Sequence, residues 1–124
     1  MVVQELTAAE HAERAQDLLV EADAHLAVGE YDDVSGALWG AVEHAVMAVA
    51  VKRGWECHAY EYSDLRSIVK RLGEEDFADG ILNTFFAATL WRNNRDYHFL
   101  DDYEYEFFAP SAHRFVSKAL ARMK

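Results

Sequence analysis

The chain has 124 residues, 12 of them Lys or Arg and 22 Asp or Glu, for a formal charge of −10. The length suits one domain, residues 1–124, with a core of its own, and 52% hydrophobic residues with 13% aromatics are too many for a disordered chain. The acidity argues against a free-standing protein that wraps duplex DNA, because phosphate binding needs a basic footprint. A small basic pocket on an acidic body stays open.

One proline and six glycines punctuate only four or five elements, too few for a sandwich or barrel. The single cysteine, Cys57, cannot form an internal disulfide, and a reducing, cytoplasmic setting is expected. The opening MVVQELTAAE lacks the basic and apolar regions of a signal peptide. The longest uninterrupted apolar run, 45–51, is far short of a membrane span, so no membrane association is expected.

Thr7-Ala8-Ala9-Glu10 is a capping box opening a helix over 8–28, with Ala15, Leu18, Leu19, Ala22 and Leu26 on one stripe and Gly29 as its stop. Tyr31-Asp32-Asp33 leads into a second helix, with acids at the positive end of its dipole, Lys52 and Arg53 in the last turn and Gly54 at its end. A loop over 55–62 follows. Ser63 is the expected cap of a shorter third helix that Gly73 closes, and Glu74-Glu75-Asp76 is the expected acidic lead into a fourth, carrying Phe77, Ile81, Leu82, Phe85 and Phe86. Gly80 within that pattern suggests a separate first turn. A fifth helix is clear from Pro110, placed at the first helical position; residues 103–108 read equally as a helical turn or an extended lead-in. The expectation is an all-α, up-and-down bundle of four or five helices.

Gly36, Gly40 and His44 share one face of the second helix. Such small residues suit close helix packing, or a dimer seam or ligand space, and His44 reads as a hydrogen-bonded buried histidine rather than a ligand. Di-iron bundles require Glu-x-x-His pairs; no Glu here has a His three residues on, and no His-x-x-x-His occurs. Neither metal nor cofactor is expected, and no Gly-rich phosphate loop or nucleophile elbow is present.

The densest set of functional side chains is Trp91-Arg92-Asn93-Asn94-Arg95-Asp96-Tyr97-His98-Phe99. Arginine offers a fork that matches phosphate, and histidine moves protons near neutrality. Six residues along a continuous helix leave Arg92 and His98 about 120° apart in projection. They converge only if the helix ends between them, as the two asparagines suggest. Such a pair suits metal-free RNA cleavage, with His98 moving a proton, Arg92 stabilising transition-state charge and Asn93 orienting the phosphate or the histidine. The alternative is a simple i,i+4 surface pair of Arg92 with Asp96.

Three stretches stand out: residues 22–33 with the Gly29-Glu30-Tyr31-Asp32-Asp33 step; Ala37-Leu38-Trp39-Gly40-Ala41-Val42-Glu43-His44-Ala45-Val46 followed by Lys52-Arg53-Gly54-Trp55, with His58 after it; and Arg92 to His98. Together they resemble the HEPN superfamily, most closely its archaeal paREP-like branch, over about residues 8–122. The resemblance implies a helical bundle that forms homodimers, in which Arg and His from two protomers line one cleft and cut RNA without a metal, as a toxin or defence effector. Carried over by position, Arg92 and His98 are the catalytic pair and Asn93 the polar support; Arg95 and Tyr97 in the same segment are the expected substrate contacts. The alternative it leaves is a non-catalytic bundle that binds a nucleotide or a protein partner of nucleotidyltransferase or antitoxin type. The subgroup regulated by such an antitoxin carries Tyr two residues after the His; this chain has Leu100 there, and its nearest downstream tyrosine is Tyr103.

Overall fold

The computed structural model describes residues 6–58 and 61–123, so the reading of the opening segment, which rests on residues 1–5, and part of the 55–62 loop lie outside the described residues. Five helices follow in order: α1 (Ala8–Ala27), α2 (Val34–Arg53), α3 (Tyr62–Glu75), α4 (Ile81–Tyr97) and α5 (Asp102–Ala121). Among the described residues there is no strand, and the fold is an all-α helical bundle.

The helix ends follow local chemistry. The Thr7–Glu10 capping box is formed in both directions, at 2.9 and 3.1 Å. After α2, Gly54 takes a left-handed conformation (φ 69°), so that its N–H reaches Val51 O and that of Trp55 reaches Ala50 O. This double bond closes the carbonyl end of the helix and needs the positive φ that glycine adopts without strain.

Every residue from Ala41 to Ala50 is buried. A helix that is apolar on all sides requires neighbours on all sides. By length and composition α2 could cross a membrane, but the rest of the bundle buries 83% of that stretch. Its partner α1 runs antiparallel, bringing His11 to His44 and Leu18 to Gly40. A Cβ at Gly40 would lie 3.1 Å from Leu18 Cδ1, whereas one at Gly36 would meet nothing within 4 Å, so close packing explains the first glycine and not the second. α4 and α5 form a second antiparallel pair, joined by Trp91 Nε1–H donating to Ser111 (3.2 Å) and by the Phe85 and Phe115 rings. Trp39, Phe85, Trp91 and Phe115 fill the centre.

Four boundaries differ from the sequence reading. α3 opens at Tyr62 with Glu61 in the N-cap position, so Ser63 lies inside the helix and does not cap it. α3 runs through Gly73 to Glu75, because Gly73 is buried against Leu82 and its neighbours Val69 and Leu72 are in the core; the run Glu74-Glu75-Asp76 therefore ends α3 and does not open α4. α4 begins after Gly80, which leaves Phe77 exposed in the link. α5 starts eight residues before Pro110, at a second capping box between Asp101 and Glu104. Pro110 thus lies inside a helix, where it removes one N–H and costs up to about 3 kcal/mol; burial of Tyr105 and Ala109 on the inner face offsets this.

The link between α3 and α4 is fastened from the far end of α5. Arg122 donates to both oxygens of Asp79 (2.9 and 3.0 Å) and to the carbonyls of Leu72 and Asp76 (2.9 Å each). The hydrogen bond from Arg122 holds the Asp79 carboxyl below its ordinary range.

Candidate functional site

The C-terminal half of α4 positions the sequence-predicted site. The helix stays intact through Asn93 and Asn94 and stops at Tyr97. The break between Arg92 and His98 is therefore real, but it is made by His98 itself, which caps the helix in the left-handed region (φ 48°, ψ 57°). Among the described non-glycine residues it alone has a positive φ. That conformation is strained for a residue with a Cβ, although His, Asn and Asp tolerate it best.

Asn94 holds this turn. Its fully buried side chain accepts from the N–H groups of Phe99 and Leu100 (2.9 Å each) and donates to Ser35 Oγ (2.8 Å) and Tyr105 Oη (2.9 Å). One amide thus uses two acceptor and two donor positions, its full capacity, and ties α4, α2, α5 and the connecting turn together. The sequence reading gave the asparagines a helix-breaking role; Asn94 serves instead as the buried anchor behind the break. Its position on the stripe Ile81, Phe85, Ala88, Trp91 was the available signal.

The charged groups gather around this anchor. Arg92 is half-buried, with its guanidinium over the ring of Tyr62, 4.6 Å from the centroid. Arg95 pairs with Asp96 (Nε to Oδ1, 3.1 Å), so the sequence alternative of an Arg92–Asp96 pair is replaced by a neighbour pair. The Arg95 hydrogen bond lowers the Asp96 carboxyl, with added pull from Arg92 and His98; three cationic or protonatable side chains act on one carboxylate. Beneath them Glu43 on α2 is buried, and burial raises its carboxyl while Arg95 and Arg92 draw it back down. Glu43 and Tyr62 were not singled out from the sequence, since neither lies near Arg92 along the chain.

Arg95 also faces a groove of about 360 Å³ lined by Glu21, Asp32, Asp33 and Gly36. Asn93 is exposed on another side of α4 and lines a groove of about 760 Å³ with Phe86, Leu90, Phe99, Phe107 and Arg114. Tyr97 and His98 are exposed at the helix end. Arg95, Arg92 and His98 thus each act on Asp96, while Asn93 is turned toward α5.

A second titratable pair lies away from this cluster. His11 and His44 are both buried, with their Nδ1 atoms 3.0 Å apart, so one ring donates and the other accepts. Burial lowers both, His44 to about 4, with His11 and Arg14 adding to the effect on His44. His44 is thus a hydrogen-bonded buried histidine. Among the described residues no group of three or more His, Cys, Asp or Glu side chains is placed to hold a metal ion.

No family model matches the chain, and no curated protein or solved structure is significantly similar to it.

Proposed function

We propose that the C-terminal end of α4 is a metal-independent RNA-cleaving site of the HEPN type. The observation that carries this reading is His98, held by Asn94 in a strained left-handed cap beside Arg92, Arg95 and Asp96. Backbone strain at a titratable side chain is a recognised mark of a functional position. The resemblance of the Arg92–His98 segment to HEPN motifs supports the same reading.

In this mechanism His98 takes the proton of a ribose 2′-hydroxyl, the 2′-oxygen attacks the adjacent phosphorus, and the 5′-oxygen leaves. A second His98, from another copy of the chain, protonates the leaving oxygen. Arg92, steadied by the Tyr62 ring, stabilises the extra charge on the phosphorus-bound oxygens. Tyr97 offers an exposed ring on which a base can stack. Arg95 contributes less, because Asp96 already engages it, and Asn93, turned into the groove beside α5, has no part at the phosphate.

Purified protein should cut single-stranded RNA in the presence of a chelator. Arg92→Ala and His98→Ala should each lower the rate by at least about 100-fold, the scale of a lost proton-transfer group or charge clamp. His98→Gly should fold at least as well and be equally inactive, which separates chemistry from folding. Undiminished cleavage in any of these variants overturns the assignment.

A second reading rests on the engagement of Arg95 by Asp96 and the acidic groove beside it. It makes the bundle a non-catalytic module whose −10 surface meets a basic protein partner of the nucleotidyltransferase or antitoxin class. That reading predicts no cleavage and a salt-sensitive complex.

A further inference from the structure

Acids outnumber bases in this chain by 22 to 12, so carboxylate partners are plentiful. Arg53, Arg95 and Arg122 take them, pairing with Glu75, Asp96 and Asp79. The cations around α3 do not. Arg66 has its guanidinium over the Phe86 ring (5.8 Å to the centroid), Arg71 over Trp55 (3.8 Å) and Arg92 over Tyr62 (4.6 Å), and Lys70 is exposed. Among the described residues no ion pair engages any of them. A guanidinium seated over a ring keeps its N–H fork unspent, and that fork matches a phosphate.

These side chains are also in order. Tyr62 packs against Trp39 of α2 and Phe85 of α4, and Arg92 reaches it from α4. Tyr62, Arg66 and Lys70 are successive members of one i,i+4 row, which forms a ridge along the helix, with steps of about 6 Å along the axis. The ridge therefore carries Arg92 at its start, then Arg66, then Lys70. Glu74, the next member of the row, is an exposed acid and ends it. Arg71, exposed on the flank next to Lys70, offers the way off. The acid in the first turn of α3 is turned away: Asp64 lies about 160° round the helix from Arg66, and it accepts the N–H of His58 (2.8 Å). The result is a narrow cationic line on an acidic body. It fits one flexible polyanionic strand, whereas a duplex needs a broader basic face.

We propose that the α3 ridge binds single-stranded RNA by its backbone, with successive phosphates on Lys70, Arg66 and Arg92, and so leads the strand to the end of α4. The ridge alone places the strand; that Arg92 is the end where it is cut rests on the functional reading above. The continuity of the ridge with Arg92 favours RNA over an acidic polypeptide.

The probe is a fluorescent 2′-O-methyl oligouridylate of about twelve nucleotides, which lacks the nucleophile and stays intact. Its anisotropy should report binding to the wild-type protein that weakens with salt, with a log–log slope of about −2, since each neutralised phosphate of a single strand contributes about −0.7. Arg66→Gln and Lys70→Gln should each weaken binding by at least about threefold at low salt and make the slope shallower by about 0.7. The double variant should leave a slope of about −0.7. Arg14→Gln, at an arginine exposed on α1, should change neither quantity. These side chains are exposed, so unfolding midpoints should stay at the wild-type value. No binding, a slope untouched by the ridge variants, or equal affinity for polyglutamate of the same length overturns the proposal. The two readings fail separately. Ridge-dependent binding of the probe by a protein that cuts no ordinary RNA keeps the ridge and removes the nuclease. Cleavage with a KM unchanged by Arg66→Gln and Lys70→Gln removes the ridge and keeps the nuclease.

Discussion

Asn94 and His98 divide one task between them. The asparagine supplies four hydrogen bonds from a buried position, and the histidine occupies the turn those bonds define. Replacing Asn94 by Ala leaves two N–H groups of the turn and two hydroxyl groups without their partner. A loss of about 2–4 kcal/mol is expected, read from urea unfolding midpoints. Replacing His98 by Gly relieves a left-handed Cβ and should raise stability by about 1 kcal/mol in the same measurement. A fall in stability for His98→Gly would mean that the imidazole, rather than the chemistry it carries, is what the turn requires. The two variants move stability in opposite directions although they are four residues apart, because one removes the support and the other removes the strain.

At the level of the helices, the two glycines of α2 separate packing from propensity. Gly36→Ala adds a Cβ into open space and should stabilise by about 0.5–1 kcal/mol. Gly40→Ala gains the same backbone term but pushes on Leu18 at 3.1 Å, so its benefit should be smaller or reversed. Thermal melts of the two single variants test the contrast. What was legible in the sequence follows the same division. α1 and α2 could be read because caps, stop glycines and apolar spacing agree locally: Thr7 with Glu10, then Gly29, then Gly54. The start of α5 could not be placed from the pattern around Pro110, because proline signals a helix start more often than a tolerated interior position, and the deciding signal was the Asp101–Glu104 box. The end of α3 was misplaced for a related reason: Gly73 looks like a stop, and only its burial against Leu82 shows why the helix continues. The Arg92–His98 segment was visible as a dense polar stretch, but its supports were not. Glu43, Tyr62, Ser35 and Tyr105 reach it through tertiary packing, which has no local sequence signature.

For the molecule as a whole, the His11–His44 pair couples the α1–α2 contact to pH. Burial lowers both rings in the fold, His44 to about 4. In the unfolded chain a histidine takes up a proton near pH 6.5. Between those values the unfolded state binds more protons, so stability falls as pH drops from about 6.5 toward 4, by no more than about 3 kcal/mol for His44. Glu10 and Arg14 also face the pair: Glu10 raises His11, and Arg14 lowers both histidines. The raised carboxyl of Glu43 works in the opposite sense, so the useful comparison is with His44→Gln. Urea midpoints between pH 7 and 5 should decline in the wild type and decline less in that variant; equal slopes would remove the pair as the cause.

The Arg122 clasp has a consequence for how the bundle is made. Synthesis delivers α1 to α4 before α5, and domains start to fold as their chains emerge. Until residue 122 has left the ribosome, the carbonyls of Leu72 and Asp76 and the carboxylate of Asp79 have no guanidinium to receive. The link between the third and fourth helices is thus secured only once the end of α5 has been made, and a stalled product that ends inside α5 presents that joint open, with Phe77 beside it, to proteases and chaperones.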